Sequence, residues 1–290
     1  MDNVYFILNS TAGNGSAVKK FNQAEKVLRE RNISYKVLES KYQGNIKELV
    51  AEAISSGADC IVIVGGDGSV RESISALAYK DVAFSIFPFG TGNDCAKALG
   101  LSEDPNRCVH DFINGKPQKI DAARANESYF LNVAGFGFDV DVLVNTEHFK
   151  NKHNGKTAYR LGLFTALTHM KQRKVIINAD GREYQYKSLI ASAGNGKYIG
   201  GGMNAHPNAE FDDGLLEFFC VHDLKPLQIP GALSKFLKGE HLDLKNTKYF
   251  RAKKIQVQSE DELAVQLDGE IIEMTPVTFE ILPEALTIIK

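Results

Sequence analysis

Apolar, mostly β-branched residues run without interruption from Cys60 to Val64 and stop at Gly65-Gly66-Asp67-Gly68-Ser69. A strand with no polar alternation is buried on both faces, as in a parallel sheet. It delivers Asp67 to its C-terminal end, the edge at which open α/β sheets bind ligands. The same order repeats on either side. Residues 4–8 read as a strand, and Asn9-Ser10-Thr11-Ala12-Gly13-Asn14-Gly15-Ser16 as a loop opening a helix that ends near Arg31. Residues 33–38 form a second strand, and 45–56 a helix with Ile46, Leu49, Val50, Ala53 and Ile54 on one face. A helix follows the GGDGS turn as far as Ala78, and a fourth strand covers 83–87. Pro88-Phe89-Gly90-Thr91-Gly92-Asn93-Asp94 then opens a helix over 95–99, and a further helix runs from Asp104-Pro105 to Asn114. Repeated strand, loop and helix predict an N-terminal parallel-sheet α/β domain with helices on both faces.

Parallel topology puts every strand-to-helix loop on one sheet edge, so residues 9–15, Ser40, 65–69 and 90–94 converge although they are distant in sequence. Glycine-rich turns before helices leave backbone N–H groups free for an anion. Asp67 and Asp94 add carboxylates for the divalent ion that phosphates bring. Each Asp serves equally well as a helix N-cap when taken alone. The first loop lacks the lysine of a GxxxxGK[ST] phosphate loop and is also consistent with an ordinary turn. The combination on one edge points to nucleotide binding.

From Lys119 the pattern changes to short alternating segments, among them 129–133, 175–179, 184–192, 215–221, 254–257, 263–267 and 278–282. Asp180-Gly181 reads as a hairpin turn. This predicts a C-terminal antiparallel β-sandwich. The domains are set at 1–118 and 119–290, with the extreme C-terminus free to pack back on the first domain. Two stretches interrupt the β pattern. Residues 148–160 carry Lys150, Lys152, Lys156, Arg160 and two histidines and lead into an apolar run over 161–167. That is either a contact for an anionic membrane surface or a solvated loop before a core helix. Residues 226–238 are expected to cap one end of the sandwich.

Composition narrows the function. With 43% hydrophobic and 24% charged residues the 290-residue chain buries a large core, and its net charge of -2 carries no nucleic-acid footprint. The four cysteines, Cys60, Cys95, Cys108 and Cys220, show no CxxC spacing, and the seven histidines show no paired-ligand spacing. Reduced thiols in a cytoplasmic protein fit this usage. The start of the chain lacks the features of a secretion signal, and no apolar run reaches the ~18 residues of a membrane span.

Gly65-Gly66-Asp67-Gly68-Ser69 with Glu72, followed by Pro88-Phe89-Gly90-Thr91-Gly92-Asn93-Asp94, resembles the diacylglycerol kinase catalytic domain, in particular the bacterial lipid kinases of the YegS, BmrU and DgkB type. The resemblance continues through Ala193-Gly194-Asn195-Gly196-Lys197-Tyr198-Ile199-Gly200-Gly201-Gly202-Met203, Pro207-Asn208-Ala209-Glu210-Phe211-Asp212-Asp213-Gly214-Leu215 and Leu267-Asp268-Gly269-Glu270. GGDG alone is shared with NAD kinases and phosphofructokinases. These ordered motifs, taken together over nearly the whole chain, are far more specific.

The resemblance implies an ATP- and Mg2+-dependent kinase that phosphorylates a lipid hydroxyl, most simply diacylglycerol, in a cleft between the two domains. The nucleotide contacts it implies are Asn9, Ser10, Thr11, Ala12, Gly13, Ser40, Gly65, Gly66, Asp67, Gly68, Ser69, Glu72, Thr91 and Asn93. Asp67, Asp94 and Asp121 would form an acidic network for Mg2+. Glu270 would be the general base, with Asp268 the second choice, although a DG turn bearing surface acids also fits those residues. Glu210 and Leu215, through their carbonyls, and Asp213, through its side chain, would bind a structural metal; Asp213-Gly214 also fits a plain turn. Partners would be a lipid at the membrane surface and no nucleic acid, with a homodimer left open. Ser10 departs from a frequent proline, Ser69 from a commoner threonine, and Arg71 takes a place often filled by asparagine. The alternatives are an NAD kinase-like enzyme and a catalytically silent nucleotide-binding regulatory module.

Overall fold

The computed structural model describes residues 3–150 and 155–290. In the first half β1 (Val4–Leu8), α1 (Ser16–Glu30), β2 (Tyr35–Glu39), α2 (Asn45–Ser55), β3 (Cys60–Gly65), α3 (Asp67–Leu77) and β4 (Ala83–Pro88) alternate, followed by α4 (Asp94–Ala98) and α5 (Pro105–Asn114). The strands lie in the order β2-β1-β3-β4 and all pair in parallel. Alternation along β1 sends Tyr5 and Ile7 to a core shared with Ile46, Val50 and Ile74 of α2 and α3. Phe6 and Leu8 face the opposite core, with Phe21 and Leu28 of α1 and Phe112 of α5. Each fully buried side chain of this kind contributes about 1.5–3 kcal/mol. β2 lies to one side of β1, and β3 and β4 to the other, so the chain reverses direction across the sheet between β1 and β3. Crevices for ligands open at the carboxyl ends of strands at such a point.

The second half comprises β5 (Pro117–Ala125), β6 (Ser128–Phe130), β7 (Val133–Gly137), α6 (Phe138–Lys150), α7 (Gly155–Thr168), β8 (Arg173–Ala179), β9 (Arg182–Gly194), β10 (Tyr198–Ile199), β11 (Met203–Asn204) and β12 (Leu216–His222). It continues with α8 (Ile229–Leu237), β13 (Thr247–Ala252), β14 (Lys254–Ser259), β15 (Ala264–Leu267), β16 (Glu270–Met274) and β17 (Val277–Ile289). Its strands pair antiparallel with one another and enclose a core containing Phe136, Ile177, Phe218, Val257, Val265 and Phe279. A layer of α6, α7 and α8 covers the outer side of β9 and β12, where Phe138, Ala166 and Ala232 meet Leu189, Phe219 and Val221.

β17 is the seam. It pairs antiparallel with β14 and β5, and at Thr287 and Ile288 it pairs in parallel with Ala83 and Phe84 of β4. Ile288 and Ile289 enter the two cores of the first half.

Three features differ from the sequence pattern. The segment 129–133 is not one strand: it is interrupted between β6 and β7, where the N–H groups of Leu131 and Asn132 turn to the Asp268 carboxylate. α6 is a helix over residues to which the sequence pattern assigned no element, and α7 already begins at Gly155. Residues 226–238 cover a sheet face through Ile229, Leu233 and Phe236 rather than capping an end. Of the basic stretch 148–160, Lys152, His153 and the side chains of Lys150 and Lys156 lie outside the described residues. All four cysteines are buried and unpaired. Among the described residues no helix is long and apolar enough to cross a membrane.

Candidate active site

The loops after β1, β3 and β4 meet at the sheet's carboxyl edge. Asn9 donates through Nδ2 to Ser69 Oγ at 2.9 Å, and its backbone N–H reaches Val64 O at 2.9 Å, which locks the first loop to the start of α3. Its Oδ1 accepts from the backbone and hydroxyl of Thr11. Ser10, Ala12 and Gly13 are half-buried along this loop, and Ser40 joins the edge through its N–H on Leu8 O. A methyl group on Gly90 would overlap Gly66 Cα, so the β3 and β4 loops touch backbone to backbone. Two glycines are required for that approach. Asn93 staples the β4 loop: its amide oxygen accepts from Gly90 N–H at 3.0 Å and its Nδ2 donates to Pro88 O at 3.0 Å. Thr91 is exposed at the tip.

Asp67 accepts the Cys95 N–H at 3.0 Å and so binds the start of α3 to the start of α4. Its other oxygen lies 2.9 Å from where a Gly92 side chain would begin. Asp94 accepts from Gly201 N–H at 2.8 Å, which brings the Gly200-Gly201-Gly202 turn of the second half to the same edge. Burial pushes both carboxyls above their ordinary range, and Asp94 is raised further by the charge of Asp67. Asp94 Oδ1 is buried with no hydrogen-bond partner among the described residues, as is Glu72 Oε2. Lys97 lies 4.7 Å above the Tyr198 ring, a cation between the two halves.

From the second half, Asp268 and Glu270 approach α3. Asp268 accepts three backbone N–H groups, from Leu131 at 2.9 Å, Asn132 at 3.0 Å and Val133 at 2.9 Å. Desolvation nevertheless outweighs those bonds and pushes its carboxyl up to about 6. Glu270 Oε2 accepts from the Arg71 guanidinium at 2.7 Å, a pair joining positions 199 residues apart. Glu270 Oε1 stands 2.6 Å from where a Gly68 side chain would begin. The expected base and the GGDG loop are thus brought together, and a side chain at position 68 would have to displace the Glu270 carboxylate.

Asp121 is placed differently from Asp67 and Asp94. Its oxygens accept from Gly214 N–H at 2.7 Å and Glu284 N–H at 2.8 Å, and its own N–H donates to Phe211 O. It therefore anchors the loop 207–215 to β5 and β17. In that loop Asp213 caps Leu215 N–H and pairs with the Arg251 guanidinium, while Glu210 is exposed. The cation that faces Asp213 is Arg251, and among the described residues no three His, Cys, Asp or Glu side chains cluster as a metal site.

Two participants escaped the sequence reading. The Gly200-Gly201-Gly202 turn supplies an N–H to Asp94, a contact that three consecutive glycines hint at. Arg71 stood out only as a departure from pattern, since nothing local reveals a partner so far along the chain.

Residues 3–125 match the family described as Diacylglycerol kinase catalytic domain, and residues 132–290 match that described as YegS C-terminal NAD kinase beta sandwich-like domain. A Pseudomonas putida protein named "Probable lipid kinase YegS-like" is 33% identical over 84% of this chain and 81% of its own length. A Mycobacterium tuberculosis protein named "Diacylglycerol kinase" is 28% identical over 98% of this chain and 94% of its own length. The crystal structure of a diacylglycerol kinase from Bacillus anthracis superposes with a TM-score of 0.82 at 28% identity, covering 99% of this chain and 96% of that one.

Proposed function

Because the chain belongs to the diacylglycerol kinase catalytic-domain family and carries that family's YegS-type C-terminal sandwich, we propose that it transfers the γ-phosphoryl group of ATP to a lipid hydroxyl, with diacylglycerol as acceptor and phosphatidic acid as product. The observation that carries this reading is the position of Glu270 Oε1 against Gly68. The carboxylate oxygen that is not bonded to Arg71 faces the GGDG loop.

Phosphoryl transfer asks for positioning and charge neutralisation more than for covalent help. The first N–H groups of α3, at Gly68 and Ser69, supply fixed donors for the phosphates, together with those N–H groups of the 9–13 and 90–93 loops that are not already bonded within the protein. Glu270 Oε1 takes the hydroxyl proton as the new O–P bond forms and the bond to the ADP oxygen breaks. Asp268, saturated by three N–H groups, holds the turn that carries Glu270 and is not the base. Asp67 and Asp94 suit a divalent cation, since both are held above their ordinary range by burial and one Asp94 oxygen lacks a partner. Bound Mg2+ would neutralise phosphate charge there, with Asp67 and Asp94 holding it directly or through water.

The acceptor resides in a bilayer, so the enzyme works at the membrane surface as a peripheral cytoplasmic protein. Val144, Phe164, Leu227 and Leu237 are exposed on the helical layer, Leu227 at 96%, and supply apolar contact for that surface. Purified protein with labelled ATP, Mg2+ and mixed micelles of diacylglycerol is expected to form labelled phosphatidic acid. Glu270→Ala should lower that rate about 100-fold or more while the variant still unfolds cooperatively. Nucleotide binding without transfer to any lipid hydroxyl would favour a silent module, and full activity of Glu270→Ala would remove the base assignment.

A further inference from the structure

We infer that Arg71 is a positioning residue that holds Glu270 in its working orientation, a role that rests on Glu270 being the base. The guanidinium takes one carboxylate oxygen, Oε2, at 2.7 Å, and leaves Oε1 directed at Gly68. One oxygen is a handle and the other is the acceptor. Without a handle, an exposed glutamate samples several rotamers. Glu270 begins the edge strand β16, which among the described residues pairs with β15 alone, so neighbouring strands do little to fix it.

Arg71 is itself well placed to impose an orientation. Its side chain is 14% exposed, against 32% for Glu270, and it projects from α3, a helix packed into the first-half core through Val70 and Ile74. Arg71 Nε is buried with no hydrogen-bond partner among the described residues, and the guanidinium donates through Nη2 to Glu270. A planar guanidinium projecting from a packed helix directs its N–H at the carboxylate more narrowly than a flexible ammonium does. The pair also ties α3, whose N-terminus belongs to the phosphate loop, to the edge strand of the second half. Base and phosphate loop are therefore registered to each other by one contact.

Arg71→Met, Glu270→Gln and the double variant form a cycle that tests this. Arg71→Met is expected to lower kcat for lipid phosphorylation about 10- to 100-fold while KM for ATP and for diacylglycerol stays within about twofold. Arg71→Lys should recover part of that loss. In the Glu270→Gln background, Arg71→Met should cost nothing further in kcat, because Arg71 acts only through Glu270. The same cycle read by thermal unfolding needs no turnover and should show coupling between the two positions. Coupling in unfolding without coupling in kcat would make the pair a structural tie and overturn the assignment. An undiminished loss in the Glu270→Gln background, with raised KM for ATP, would place Arg71 on the nucleotide and overturn it as well. Absence of lipid phosphorylation in the unsubstituted protein overturns the kinase reading and the assignment together. That failure is recognised before any variant is made.

Discussion

Glu217 is 1% exposed at the head of β12, with one oxygen accepting the Asn208 N–H at 3.0 Å and the other without a hydrogen-bond partner among the described residues. Burial pushes its carboxyl up to about 7, whereas in an unfolded chain a glutamate titrates near about 4.3. Between those values the folded protein holds a proton that the unfolded chain has released. Stability from this group is therefore complete below the unfolded value and is lost as pH rises through about 7. Glu217→Gln keeps an acceptor for Asn208 and removes the buried charge. The variant should unfold at higher temperature than the parent at pH 8, by the equivalent of about 2 kcal/mol, with the gap closing toward pH 4. A gap independent of pH would show that the Glu217 carboxyl titrates alike in the folded and the unfolded chain. The difference between variant and parent is the proper readout because two histidines run the other way. Burial pushes His206 down to about 3 and His241 down to about 4, so their contribution is intact above the ordinary histidine value and drains as pH falls below it.

At the scale of elements, the break between β6 and β7 shows how a single carboxylate shapes the backbone around the site. Three consecutive N–H groups, from Leu131 to Val133, converge on Asp268, and the Asp268 N–H returns to Val133 O at 2.8 Å. Removing the carboxylate leaves those donors unpaired, so Asp268→Ala should cost about 2–4 kcal/mol in chemical denaturation. Asp268→Asn retains two of the three acceptor roles at best and should fall between. An alanine variant as stable as the parent would mean that water takes over the three N–H groups. The same break explains why the second half was less legible than the first. Strand, glycine turn and helix follow one another locally from Val4 to Asn114, so periodicity alone locates them. The interruption at 131–132 is caused by a residue more than 130 positions away, and no local pattern carries it. α6 is hidden for a related reason: Val140, Val142 and Val144 favour strands, and Val140 and Val142 are instead buried in the helix, with Val142 in the cluster shared with α7 and α8. The loops of the candidate site were legible because glycine and carboxylate spacing is itself local, whereas the Arg71 partner of Glu270 was not.

At the scale of the whole molecule, the division near residue 118 is a division of pattern more than of folding. The edge of the parallel sheet at β4 is completed by Thr287 and Ile288 of β17, and Lys116 N–H donates to Lys290 O at 3.1 Å. Leu286 and Ile288 fill the core beneath α2 and α3, and Ile289 fills the one beneath α1 and α5. A fragment of residues 1–118 would lose these apolar side chains and expose β4 as an unpaired edge, which invites association between copies. Burial of three large aliphatic side chains is worth about 5–9 kcal/mol by surface area, comparable to the entire net stability of a domain. The fragment is therefore expected to lack a cooperative thermal transition and to bind a hydrophobic dye, while the full chain melts cooperatively. Supplying residues 277–290 as a peptide should restore the transition, because β17 pairs with the β4 edge and fills both cores beneath it. A fragment that unfolds cooperatively without the peptide would show that β17 decorates the first half and does not complete it.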